Sequence, residues 1–178
     1  MCLLTGGPAA AASRGPTNEA RYLTMRDGVR IAIDVWLPPA RSAPIPALIR
    51  ATRYWRALGV TDRFPADSNL EEATAVTDAG YARVLVDVRG TGASFGTWSS
   101  PWAPAEVADL GEVVDWIVAQ SWSNGRVGAY GVSYEGNTAE FVGTVGREAV
   151  KAVVPRFDDF EILSPASPSP AGSAQTGS

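Results

Sequence analysis

The chain has 178 residues, 46% hydrophobic and 19% charged, with a formal net charge of -4. That length suits one domain with its own core, the composition excludes full-length disorder, and the mild acidity excludes the basic footprint of a nucleic-acid partner. One cysteine excludes an internal disulfide or a cysteine-cluster metal site, and the absence of histidine removes the commonest metal ligand and the commonest general base.

Residues 1–18, rich in Ala, Gly and Pro, read as a disordered start. Met1 to Ala12 has no positive charge before its short apolar run and makes a poor secretory signal. No stretch approaches the roughly 20 apolar residues of a membrane helix, so no membrane association and a cytoplasmic location are expected. A continuous core follows over 19–163. Tyr22–Met25 and Ile31–Leu37 read as strands joined at Arg26-Asp27-Gly28, because Asp-Gly tolerates the positive φ of a tight hairpin. Ala47–Ala51 is a third strand, leading into Thr52-Arg53-Tyr54-Trp55. Ser68-Asn69-Leu70-Glu71 is a capping-box pattern for a helix that ends at Gly80.

Tyr81–Val88 is a short, nearly continuous apolar run, as in a central strand buried on both faces. A Gly-rich loop over 89–98 precedes a helix from Pro104 to Ala119, whose Val107, Leu110, Val113 and Ile117 recur at helical spacing. Ser123-Asn124-Gly125 reads as a turn, Arg126–Tyr130 as a strand, Tyr134 to Val145 as a helix and Ala149–Pro155 as a last strand. The alternation implies an α/β fold, a mostly parallel sheet behind an amino-terminal antiparallel hairpin. Residues 164–178 are small and polar with three prolines, and read as a disordered low-complexity tail.

The sharpest chemical signal is Gly131-Val132-Ser133-Tyr134-Glu135-Gly136, between a strand and a helix. A sharp strand-to-helix turn there lifts Ser133 Oγ clear of the sheet. Gly131 avoids a collision inside the turn, Gly136 lets the helix pack closely, and the Tyr134 N–H could stabilise an oxyanion. The pattern is one residue off plain G-x-S-x-G, and a purely structural turn fits it too. Tyr54 follows the third strand at the carboxyl edge of the sheet, where sites gather, yet taken alone it reads more readily as a packed loop aromatic. The loop Gly90-Thr91-Gly92-Ala93-Ser94-Phe95-Gly96 is one residue too long for a dinucleotide fingerprint and opens no helix, so no cofactor is implied. Asp87 and Arg89 read as a local ion pair ordering it. Asp109, Glu112 and Asp115 read as a solvated helix face, and Asp158, Asp159 and Glu161 give no metal site.

Several separated segments stand in one order: Met25–Arg30, Arg53-Tyr54, Asp87–Gly96, Trp122–Gly128 and Gly131–Thr138. Together they resemble the Xaa-Pro dipeptidyl-peptidase (S15) and CocE/NonD family of serine hydrolases over about residues 20–163. In that family the elbow reads G-x-S-Y-x-G. The resemblance implies an α/β-hydrolase fold acting on small acyl esters or peptides. It implies that Ser133 is the nucleophile, and that the Tyr134 N–H and the Tyr54 phenol form the oxyanion hole.

The resemblance also exposes a gap. A serine hydroxyl needs a base, which needs an orienting acid, and in α/β-hydrolases these follow in the order Ser, Asp or Glu, His. The chain runs about 45 residues past Ser133 and holds no histidine. Its only lysine, Lys151, falls at the start of the last strand, away from the expected site. The expectation is a truncated α/β-hydrolase domain, hydrolytic by family and inactive alone. The alternative is a non-catalytic binding or assembly module that pairs with a complementary chain or with itself through its cut sheet.

Overall fold

The computed structural model describes residues 15–56 and 67–158. Six strands and three helices alternate: β1 (Thr17–Thr24), β2 (Arg30–Leu37), β3 (Ile45–Thr52), α1 (Asp67–Asp78), β4 (Ala82–Asp87), α2 (Pro104–Val118), β5 (Ser123–Val132), α3 (Tyr134–Thr144) and β6 (Val150–Arg156). The strands lie in the order β1-β2-β4-β3-β5-β6. β1 and β2 pair antiparallel, β2 joins β4 antiparallel, and every pairing among β3 to β6 is parallel. This is the α/β architecture expected, with its antiparallel hairpin at the amino-terminal edge.

Local chemistry explains the element ends. At the hairpin turn Gly28 takes φ +82°, the Met25 N–H bonds Val29 O at 2.8 Å, and Asp27 Oδ1 accepts the Val29 N–H. α1 stops at Gly80, whose φ of +84° lets its N–H reach Thr77 O at 2.9 Å. Three expectations shift. β1 begins at Thr17, not Tyr22, because its first residues form an exposed edge paired through the backbone and carry no apolar signature. α1 already includes Asp67, so Ser68 stands inside the first turn and is not its cap. Ser123-Asn124-Gly125 keeps its turn chemistry, with side-chain oxygens accepting the N–H groups of Gly125 and Arg126, yet lies within β5 as a bulge against β3.

Strand alternation divides the sheet into two unlike faces. Ile31, Ile33, Ile49, Val84, Val86 and Val127 turn one way and pack with Leu110, Val113, Val114 and Ile117 of α2 and Val142 of α3. The opposite face carries Arg50, Arg83, Asp87 and Tyr130. There Arg83 is fully buried, held by Asn69 and Glu72 of α1 and by the Tyr130 hydroxyl. β4 is buried throughout, as its apolar run implied, but its buried set includes Arg83 and Asp87. The parallel strands β3, β4 and β5 end at one edge, which gathers Tyr54, Asp87 and Ser133.

Candidate active site

Ser133 sits between β5 and α3 with φ +58° and ψ -127°. A non-glycine residue held there costs about 1–3 kcal/mol, so the surroundings must impose it. The Ser133 N–H bonds Arg156 O at 2.9 Å, and its carbonyl accepts the Asn137 N–H at 3.0 Å. A Cβ on Gly131 would stand 2.2 Å from the Glu135 carbonyl oxygen, and one on Gly136 would stand 2.7 Å from Arg156 O. Both glycines are therefore required by backbone contact, Gly131 inside the turn and Gly136 against β6. Ser133 is exposed at the rim. Tyr134 opens α3, so its N–H belongs to the first helical turn, where intrahelical acceptors are missing.

The Tyr134 side chain turns inward and is 3% exposed. Its hydroxyl donates to Glu106 Oε1, and its ring stacks on Trp102 with centroids 5.0 Å apart. Burial, then the Glu106 carboxylate, hold the Tyr134 phenol far above the ordinary range. Glu106 stands in the first turn of α2 and is itself buried. Desolvation pushes its carboxyl up, and the Tyr134 hydroxyl, the Trp102 N–H and the Arg53 charge only partly offset that. Glu106 Oε2 and the Trp102 indole N–H meet no hydrogen-bond partner among the described residues.

Tyr54 follows β3, anchored by its N–H to Thr52 Oγ1 at 3.0 Å. Its ring is 45% exposed and meets Tyr134 edge-on at 6.1 Å. The structure thus brings the two tyrosines of the expected oxyanion hole side by side at the edge where Ser133 stands. Behind the elbow, Arg50 Nε donates to Glu135 Oε2 at 2.7 Å and Arg50 Nη1 to Glu72 Oε2 at 2.7 Å. Tyr130, packed against this network, has its phenol pushed up to about 12 by burial.

Asp87 and Arg89 do not pair. Asp87 is taken by Arg56, through the backbone N–H and Nη1 at 2.6 Å each, and by the Ala93 N–H at 2.9 Å. Its carboxylate fills the hollow of the glycine loop, where a Cβ on Gly92 would come within 2.3 Å of it. Arg89 reaches the other way and forms a fork with Asp109 at 2.6 and 2.8 Å, plus Asp27 at 2.6 Å. The acidic residues of α2 form a solvated face only in part, Asp109 being buried, Glu112 half-buried and Asp115 exposed. Asp109 is buried on Arg89, Glu112 pairs with Arg26, and Asp115 pairs with Arg147. Three arginines from distant segments tie α2 down, which helical spacing alone does not reveal.

Lys151 is exposed near the amino end of β6, in a cleft with Pro46 and Asn124, remote from the elbow. Among the described residues there is no group of three or more His, Cys, Asp or Glu side chains able to hold a metal ion. Asp159 and Glu161 lie outside the described residues. No described helix is long and apolar enough to cross a membrane.

Residues 27–162 match the family model described as X-Pro dipeptidyl-peptidase (S15 family). The chain is 42% identical over 165 residues to the Mycobacterium bovis protein named "Putative serine esterase Mb1866c", covering 85% of this chain and 26% of that one. It is 35% identical over 142 residues to a cocaine esterase of Rhodococcus, covering 78% of this chain and 23% of that one. Among solved structures, an α-amino acid ester hydrolase superposes with TM-score 0.68 at 31% identity, over 87% of this chain and 27% of its own. A CocE/NonD family hydrolase from Staphylococcus aureus superposes with TM-score 0.65 at 26% identity, over 79% and 27%. The chain spans about a quarter of the length of these relatives.

Proposed function

Because the chain belongs to the X-Pro dipeptidyl-peptidase (S15) family of serine hydrolases, we propose that it supplies the nucleophile and oxyanion donors for hydrolysis of small acyl esters. The observation that carries this reading is the strained Ser133 backbone, φ +58° and ψ -127°, imposed by contacts at Gly131 and Gly136. Ser133 Oγ attacks the acyl carbon as a base takes its proton. The carbonyl oxygen becomes an oxyanion that accepts hydrogen bonds from the Tyr134 N–H and the Tyr54 phenol. The C–O bond to the alcohol breaks as the proton passes to the leaving oxygen, and water then releases the acyl group from Ser133. Esters are favoured over Xaa-Pro peptides because the relatives named esterases match at higher identity and over more of the chain.

Imidazole is the usual base, and the sequence contains no histidine. The isolated chain is therefore expected not to turn over p-nitrophenyl acyl esters, while a fluorophosphonate labels Ser133 slowly. Ester turnover by the isolated chain that disappears in Ser133→Ala would refute the inactivity. Labelling that is equal in Ser133→Ala would refute the nucleophile assignment.

A second reading, assembly with a complementary chain, draws on the face opposite α3. There Val132 is 43% and Val154 54% exposed beside a cleft of about 280 Å³ lined also by Tyr130 and Arg156. Sheets of this kind are ordinarily covered on both faces. Esterase activity that appears only when a carboxyl-terminal hydrolase segment is added would support pairing. No activity with any such segment would count against it.

A further inference from the structure

Arg53 lies beside both tyrosines of the proposed oxyanion hole, and neither the family reading nor the sequence assigns it a role. Its Nη2 donates to the Tyr54 hydroxyl at 3.1 Å. Its guanidinium stands 5.0 Å from the Tyr54 ring centroid, 4.8 Å from that of Tyr134 and 5.8 Å from that of Trp98. The neighbouring arginines all meet carboxylates: Arg50 meets Glu72 and Glu135, Arg56 meets Asp34 and Asp87, and Arg89 meets Asp27 and Asp109. No ion pair among the described residues includes Arg53. It is held by aromatic faces, which orient a cation without neutralising it.

We propose that Arg53 is a positioning residue that fixes the Tyr54 phenol as a hydrogen-bond donor to the oxyanion. The proposal rests on the reading of Ser133 as nucleophile and Tyr54 as oxyanion donor. A phenol has one O–H to give and lone pairs with which to accept, whereas a guanidinium can only give. In the Arg53–Tyr54 contact the phenol oxygen must therefore be the acceptor, which leaves its own hydrogen for another group. A water or a carboxylate at the same place would take that hydrogen and switch the phenol off as a donor. Accepting from a cation also polarises the phenol O–H, so it donates more strongly to a developing negative charge. Arg53 forms no ion pair among the described residues, and its charge acts at the site, where it also favours the ionised form of the buried Glu106 carboxyl.

The test has two arms, both on the chain as it stands. The first is the Raman Fermi doublet of Tyr54, which reports whether a phenol accepts or donates, isolated by subtracting the spectrum of Tyr54→Phe. Without ligand, Tyr54 should show acceptor character that Arg53→Met abolishes and Arg53→Lys keeps in part. A doublet unchanged in folded Arg53→Met overturns the proposal. Should Arg53→Met lose its far-UV dichroism, Arg53→Lys decides instead, since loss of the planar fork alone should weaken the acceptor signature, and an unchanged doublet there overturns the proposal.

The second arm is capture of phenylboronic acid, which adds to a serine oxygen and leaves a negative tetrahedral boronate. Arg53→Met should weaken capture about tenfold, less than the hundredfold or more expected for losing a direct donor. Capture that depends on Ser133 but is unchanged in Arg53→Met overturns the proposal. Capture equal in Ser133→Ala, or absent throughout, condemns the nucleophile reading instead, and the doublet still decides whether Arg53 holds Tyr54.

Discussion

Replacing Arg89 with Met should be among the most destabilising single changes in this protein. Arg89 is 8% and Asp109 4% exposed, joined by two hydrogen bonds at 2.6 and 2.8 Å. A third bond, to the largely solvated Asp27, ties the hairpin turn to the same guanidinium. Methionine replaces the aliphatic stem but leaves the Asp109 carboxylate buried without its partner. Breaking a buried pair from one side costs about 3–5 kcal/mol, whereas removing the solvated Asp27 should cost far less. Burial already holds the Asp109 carboxyl above its ordinary range despite Arg89, and Arg89 is locked in its charged form by the same contact. Without Arg89 the Asp109 carboxyl rises further. A carboxyl with a raised folded-state pKa favours the folded chain at low pH and loses that favour as pH rises through the folded value. The Arg89→Met deficit should thus be largest at neutral pH and shrink on acidification. Urea denaturation followed by circular dichroism at neutral and acid pH measures both. The double change Arg89→Met with Asp109→Leu should recover most of the loss, since an apolar pair replaces an orphaned charge. A deficit under about 1 kcal/mol, or a double variant as unstable as the single one, refutes this account.

The same linkage acts on the whole chain. Asp34, Glu106 and Asp109 are all raised by burial, while the lowered Asp27 and Asp115 are solvated and contribute little. Stability should increase as pH falls from neutral toward the ordinary carboxylate range of roughly 4–5, and Glu106→Gln should blunt that increase in thermal melts. Gly131→Ala sets a methyl 2.2 Å from the Glu135 carbonyl and should cost about 3 kcal/mol or more, so an unchanged melting temperature would contradict the elbow geometry. Tyr134→Phe strips Glu106 of its phenolic donor and should cost about 1–3 kcal/mol by denaturant titration, and adding Glu106→Leu should restore part of it.

The elements were legible because hydrophobic spacing and glycine placement are local. The parallel strand at Tyr81–Val88 and the turn at Asp27-Gly28 are written in short windows of sequence. The elbow was legible for the same reason, since Gly131, Ser133 and Gly136 lie within six positions of one another. What could not be read were partners far apart in the chain. Asp87 and Arg89 are two residues apart at the end of β4 and the start of the glycine loop, which suggests a pair. Their choice was decided by Arg56 from one side and Asp109 from the other. Glu106 carried one local sign, an acid in the first turn after Pro104, but nothing nearby pointed to Tyr134. The strand order, with β4 between β2 and β3, likewise depends on pairings that no local window contains.

The described backbone contacts that hold Ser133 at positive φ come from Gly131, Glu135, Gly136 and Asn137 beside it and from Arg156 on β6. Holding Ser133 in this conformation is thus the work of one β5–α3–β6 unit, in which β6 serves as the backstop against which the turn is pressed.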